Sequence, residues 1–161
     1  RPKKKINFLL SKIKLSNNTF VHRDFHVSNL MVSKGNLVII DGQDALFGNK
    51  AYDLASLIDD VRIKTSDKIK KFIYNYYISL NKKNFDQKNF KNDFEILSIL
   101  RNLKIIGIFT RLSIRDNKSK YLKLIPHAWN LIELRLKNNL IFNDLKNFLD
   151  KNFSKNVRKK K

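Results

Sequence analysis

Apolar positions change their period twice along the chain, and each change marks a different kind of element. Ile6, Leu9, Leu10 and Ile13 recur at helical spacing, and Ser16-Asn17-Asn18 then stop the helix with side chains that compete for backbone hydrogen bonds. Short β-branched, aromatic or apolar runs follow at Thr19–Val21, Leu30–Val32 and Leu37–Ile40, with Lys34-Gly35-Asn36 as the turn between the last two. From Ala51 the period lengthens again, with Leu54, Leu57, Ile58 and Val61 three and four residues apart. The spacing predicts helices over 52–63, 67–80, 90–115, 119–138 and 142–152, the fourth broken before Pro126. Residues 157–161 read as a frayed basic tail. The fold class expected is α+β and mostly α, a small β-hairpin unit embedded in a helical lobe.

Composition narrows the picture. The 161 residues allow one domain or one lobe. Lys and Arg number 34 against 14 Asp and Glu, a formal charge of +20, yet 42% of residues are apolar and periodically placed, so intrinsic disorder is excluded. The charge would attract nucleic-acid phosphates, so a basic nucleic-acid-binding module without catalysis is an alternative reading; it explains the charge but no motif, and specific nucleic-acid binding is not expected. There is no Cys, which removes disulfides, thiolate catalysis and cysteine zinc sites. No apolar run approaches the roughly 20 residues of a membrane helix, and no secretory signal is recognisable. A cytoplasmic protein without a membrane partner is expected.

The chemistry concentrates in one loop. His22-Arg23-Asp24-Phe25-His26-Val27-Ser28-Asn29 follows one predicted strand, precedes another, and fits the kinase catalytic-loop pattern H-R-D-x-x-x-x-N. Phosphoryl transfer needs an Asp at the attacking hydroxyl, and an Asn and a second Asp that hold Mg²⁺ against the phosphates of ATP. Asp24 suits the first role and Asn29 the second. The hairpin turning at Gly35-Asn36 returns Asp41 alongside the loop as the second metal ligand, giving Mg²⁺ hard oxygen donors. Singly, Asp24 reads as a turn residue, Asn29 as a cap and Asp41 as a strand-end residue; the joint spacing favours the functional reading. Asp44 either shares the metal or closes the turn, the turn being favoured. His22 and His26 lie in a loop with no third ligand in view, so zinc is not expected. His22 is read as a prop for the loop, and His26 as structural or as a substrate contact.

Phe20 to Arg62 resembles the aminoglycoside phosphotransferase superfamily, the protein-kinase-like kinases of small molecules. The resemblance implies a protein-kinase-like C-terminal lobe and makes Asp53 of Tyr52-Asp53-Leu54-Ala55 a brace of the loop carrying His22 and Arg23. An acid in a helix's first turn also complements the dipole, and both readings hold together. More narrowly, VHRDFHVSNLMV, IIDGQDALFGNKAYDLASLIDD and LRNLKIIGIFTRLSIRDNKSKYL resemble the anomeric kinases of N-acetylmuramate and N-acetylglucosamine used in cell-wall sugar recycling. That implies an amino-sugar acceptor; an aminoglycoside or other small alcohol is the alternative. Gly42 stands where such kinases usually carry an aromatic, and Ser28 where they carry Arg.

On the long predicted helix, Arg101, Lys104, Arg111 and Arg115 share one stripe. It reads as the helix's wet face, with Arg101 and Arg111 as possible contacts to an acidic group of the substrate. Trp129 and the Phe and Tyr residues read as core. No Gly-x-Gly-x-x-Gly and no strand Lys for nucleotide phosphates are present. Residues 1–156 are therefore expected to be a C-terminal catalytic lobe, inactive alone, with the nucleotide lobe encoded upstream of Arg1.

Overall fold

A computed structural model describes residues 2–81, 85–137 and 139–159. Helix α1 (Pro2–Leu10) precedes strand β1 (Thr19–Val21), a 3₁₀ turn (Val27–Asn29), strands β2 (Leu30–Ser33), β3 (Asn36–Ile39) and β4 (Leu46–Gly48), and helices α2 (Ala51–Ile58) and α3 (Asp67–Leu80). Then come α4 (Gln87–Asp116), a 3₁₀ stretch (Ser119–Leu124), α5 (Ile125–Leu136), a 3₁₀ turn (Leu140–Phe142), α6 (Asn143–Asn152) and α7 (Lys155–Lys159). The described residues are thus mostly helical with small antiparallel sheets. They group into two compact units, one of residues 14–97 and one of residues 1–13 with 98–161, the boundary falling inside α4.

In the 14–97 unit, β2 pairs antiparallel with β3 through Leu30↔Ile39 and Ser33↔Asn36, a two-residue hairpin turn at Lys34-Gly35. Both turn residues have positive φ, 49° and 79°, the pairing that the right-handed twist of the flanking strands requires. Strand β1 pairs with β4, Thr19 opposite Gly48 and Val21 opposite Leu46, so the loop and the hairpin are closed at their base. Ser66 caps α3 by accepting the Ile69 N–H at 3.3 Å. Tyr74, Tyr77, Phe85, Phe90 and Phe94 form a linked aromatic cluster with centroids 4.8–6.3 Å apart.

In the other unit, α1 packs on α6 and α5 on α7. Arg158 is the anchor of α7: its guanidinium lies 5.0 Å from the Trp129 ring centre and donates to Glu133 at 3.0 Å and Asp150 at 2.7 Å. This corrects the frayed tail over 157–159, where a buried Arg ties down a short helix; 160 and 161 lie outside the described residues.

Other differences have local causes. Helix α2 stops at Ile58 rather than 63 because Asp59 leaves helical geometry (φ −108°, ψ 43°) and its carboxylate is taken by Lys70. Strand β4 was not expected: three residues are too few to show alternation, and the partner lies 25 positions back at the nearest pair, Val21 with Leu46, and 29 at the farthest, Thr19 with Gly48 (46 − 21 and 48 − 19). Trp129 is core, but Phe20, Phe47, Phe72 and Tyr76 are exposed, correcting the reading of all aromatics as interior. The basic stripe is also not uniformly wet, since Arg101 is buried while Lys104, Arg111 and Arg115 are exposed.

Candidate active site

Strand β1 delivers His22 directly into the loop, and the helix that follows the hairpin grips it. The Asp53 carboxylate, in the first turn of α2, accepts the His22 N–H at 2.7 Å and the Arg23 N–H at 3.0 Å, one oxygen for each amide. Charge-assisted bonds of this kind are about twice as strong as neutral ones. They hold Arg23 at φ 69°, a left-handed conformation that costs a non-glycine residue about 1 kcal/mol or more. The Arg23 guanidinium in turn reaches the Asp44 carbonyl at 3.3 Å. Asp44 sits in a turn closed by the Ala45 N–H to the Gly42 carbonyl at 3.1 Å, so its backbone, not its carboxylate, makes the contact.

Asp24 comes next, its side chain half-exposed, so that its carboxylate is open to solvent. The His26 ring is buried beneath it, with Nε2 3.1 Å from Asp24 Oδ1 but off the line of a hydrogen bond, and neither ring nitrogen has a hydrogen-bond partner. The chain then makes the 3₁₀ turn ending at Asn29, whose N–H bonds the His26 carbonyl at 2.9 Å. Asn29 Nδ2 donates to the Asp24 carbonyl at 2.9 Å and lies 3.4 Å from Asp24 Oδ2, so base and amide are locked as one unit. With Nδ2 so engaged, Oδ1 is the amide's remaining acceptor.

The hairpin brings its far strand back onto this loop. The Ile40 N–H bonds the Asn29 carbonyl at 3.0 Å, and the buried His22 ring meets the Ile40 carbonyl through Nε2 at 3.0 Å. A Cβ on Gly42 would lie 3.8 Å from His22 Nε2, an ordinary contact, so the space beside the ring does not itself require glycine there. Asp41 is exposed and at φ 67°, the second non-glycine residue near the loop held left-handed. His22, Arg23, Asp24, His26, Asn29, Asp44 and Asp53 are therefore brought together, and the backbone of Ile40, just before Asp41, is tied to His22 and Asn29. Arg101 and Arg111 belong to the other unit.

Asn29 and Asp41 offer hard oxygens, the donor chemistry Mg²⁺ selects. Among the described residues no group of three or more His, Asp or Glu is able to hold a metal by itself. The residues thus fit an ion completed by phosphate and water oxygens, not a closed protein cage.

Sequence reasoning missed three buried polar residues around the loop. Asp93 on α4 is fully buried and accepts the Lys14 and Leu15 amides at 2.9 and 2.8 Å, Asn49 Nδ2 at 2.7 Å and Asn92 Nδ2 at 2.9 Å. Asn49 passes the restraint on, accepting the Ala51 N–H at the start of α2 at 3.0 Å. Asp60, 1% exposed, reaches the Val27 amide. The sequence carried little signal for them: Asp60 stands between Asp59 and Val61, and Asp93 between Asn92 and Phe94, each with a polar neighbour on one side.

Residues 4–80 match the sequence profile of the phosphotransferase enzyme family. This segment, 77 of the 161 residues, carries that family's sequence signature. It is 35% identical over 134 residues to the N-acetylmuramate/N-acetylglucosamine kinase of Neisseria meningitidis serogroup B, covering 79% of this chain and 40% of that protein. Proteins of the same name from Pseudomonas aeruginosa and Caulobacter vibrioides are 32% identical over 119 residues and 30% identical over 120; each match covers 71% of this chain, and 35% and 33% of the relative. The matched region thus spans two-fifths or less of these curated relatives.

Proposed function

We propose that the whole protein is an ATP-dependent phosphotransferase that phosphorylates a hydroxyl of an amino sugar, N-acetylmuramate or N-acetylglucosamine, in cell-wall sugar recycling in the cytoplasm. Residues 1–156 supply its catalytic lobe, and the lobe covering the nucleotide is another part of the protein. The observation that carries this reading is the loop His22–Asn29, clamped at its start by Asp53 and bonded at its end to the strand that leads into Asp41. The names of the relatives support the acceptor class.

Asp24 orients the sugar hydroxyl and accepts its proton, for which its half-exposed carboxylate is suited. Asn29 and Asp41 hold Mg²⁺, which neutralises charge on the transferring phosphate when bound. Arg23, His22 and Asp53 keep the loop in its strained geometry before substrate arrives, so no reorganisation is needed at the moment of transfer. His26 limits the rotation of the Asp24 carboxylate from below.

The test is phosphate transfer from ATP by the whole protein to the two amino sugars, with aminoglycosides in parallel. Asp24→Asn is expected to lower kcat by about 100-fold or more with little change in melting temperature. Near-normal turnover by that variant sinks the role of Asp24, and transfer confined to aminoglycosides replaces the acceptor.

A further inference from the structure

The catalytic loop has two halves, and Asp53 grips only the first. The second half is the 3₁₀ turn Val27–Asn29, whose first N–H has no partner within the turn, as at any helical start. No side chain at His26 caps it. Instead the Val27 N–H points to Asp60 Oδ2 at 3.4 Å, a long bond to a carboxylate that is 1% exposed.

Asp60 is itself fixed. Its Oδ1 accepts the Arg62 N–H at 2.9 Å and faces Arg62 Nη1 at 3.4 Å. Immediately before it, the end of α2 is pinned by buried Lys70, whose ammonium donates to the Ile58 carbonyl at 2.6 Å and to Asp59 at 2.9 Å. Burying a carboxylate costs several kcal/mol unless its oxygens are satisfied, and here one oxygen turns to the loop.

We infer that Asp60 is a second positioning residue, holding the Val27 amide so that the turn presents Asn29, as Asp53 holds the amides that present Asp24. One carboxylate lies in the first turn of α2 and the other two residues beyond its end, so this short segment clamps both halves of the loop. The catalytic consequence rests on the phosphotransferase reading; the physical grip does not. Because Asn29 also carries the bond to Ile40, a shift at Val27 is passed to the residue that leads into Asp41.

Two substitutions cut the same bond from opposite sides. Asp60→Ala removes the acceptor. Val27→Pro removes the donor at the first position of a helical turn, after an extended residue (His26, φ −147°, ψ 168°), where proline fits. In the whole protein each is expected to lower kcat roughly tenfold or more while the sugar KM stays within about twofold, and to raise the Mg²⁺ concentration needed for half-maximal rate. The double variant should be no worse than the poorer single, because both remove one interaction. Hydrogen exchange across residues 25–30 should quicken in Asp60→Ala, with exchange in α5 unchanged.

Unchanged exchange in Asp60→Ala, wild-type kcat in Val27→Pro, or losses that multiply in the double variant would each overturn the inference. If Asp60→Ala does not fold, Val27→Pro decides alone: reduced kcat at an unchanged melting temperature supports the grip, and wild-type kcat ends it. Absence of phosphate transfer from ATP by the unsubstituted whole protein sinks the kinase reading separately, and the exchange arm still decides whether Asp60 holds the loop.

Discussion

Asp53 and Asp93 both satisfy pairs of consecutive backbone amides, yet only Asp53 stands in a motif that a reader of the sequence would stop at. Their shared geometry, two oxygens for two amides, is decided by where the chain passes 31 and 79 residues away, and no local pattern carries that. The same is true of His26, whose burial under Asp24 is invisible in an exposed-looking polar loop. At this scale the clearest measurable consequence concerns Tyr77. Burial, and secondarily the negative charge of Asp53, push its phenol above the ordinary value of 10.0. The unfolded chain therefore releases this proton near 10.0 while the folded chain retains it. Its contribution to stability is fully present below that pH and is lost as the pH rises through the folded value. Tyr77→Phe should soften the fall in melting temperature above pH 10, and an absorbance titration of the folded protein should lose a phenol that ionises above the ordinary value. Identical alkaline profiles for the two proteins would contradict this.

Elements were legible where they were long. Helix α3 falls over the residues its period predicts, and α4 extends the expected span by three residues at its start and one at its end, from 90–115 to 87–116. Asp86 explains the earlier start, since it accepts the Asn89 N–H at 2.9 Å and so caps the helix three residues before its first aromatic contact position at Phe90. Short elements were not legible: β4 exists because β1 pairs with it, and α7 because Arg158 is buried between acids and a Trp ring. Gly107 is the exception inside a long element. A Cβ there would meet nothing within 4 Å, so no close packing requires the glycine. Gly107→Ala should stabilise the protein by about 0.5–1 kcal/mol through helix propensity, read as a higher melting temperature. A fall instead would show that the open space at Gly107 is used by something that an added methyl group excludes.

Across the whole molecule, the charge of +20 is carried on a chain whose few acids are largely committed to internal bonds. Asp59, Asp60 and Asp93 are buried, and Asp53 spends both oxygens on the loop. The surface is left with an excess of Lys and Arg that repel one another. Raising ionic strength from about 0.01 M to about 0.15 M shortens the screening length from about 30 Å to about 8 Å, and the melting temperature should rise with it. A flat or falling profile would show that exposed ion pairs such as Lys5–Asp144 outweigh the repulsion. Among the described residues no helix is long and apolar enough to cross a membrane.

The sequence by itself determined the loop between His22 and Asn29, the hairpin after it and the long helices, because each is written in residues adjacent or one turn apart, where side-chain type and backbone preference act directly. Tertiary structure alone decided which carboxylates hold the loop and which arginine is interior. Those outcomes depend on amides left without partners by one segment being met by acids from another, and the burial that makes such bonds strong exists only once the chain has folded.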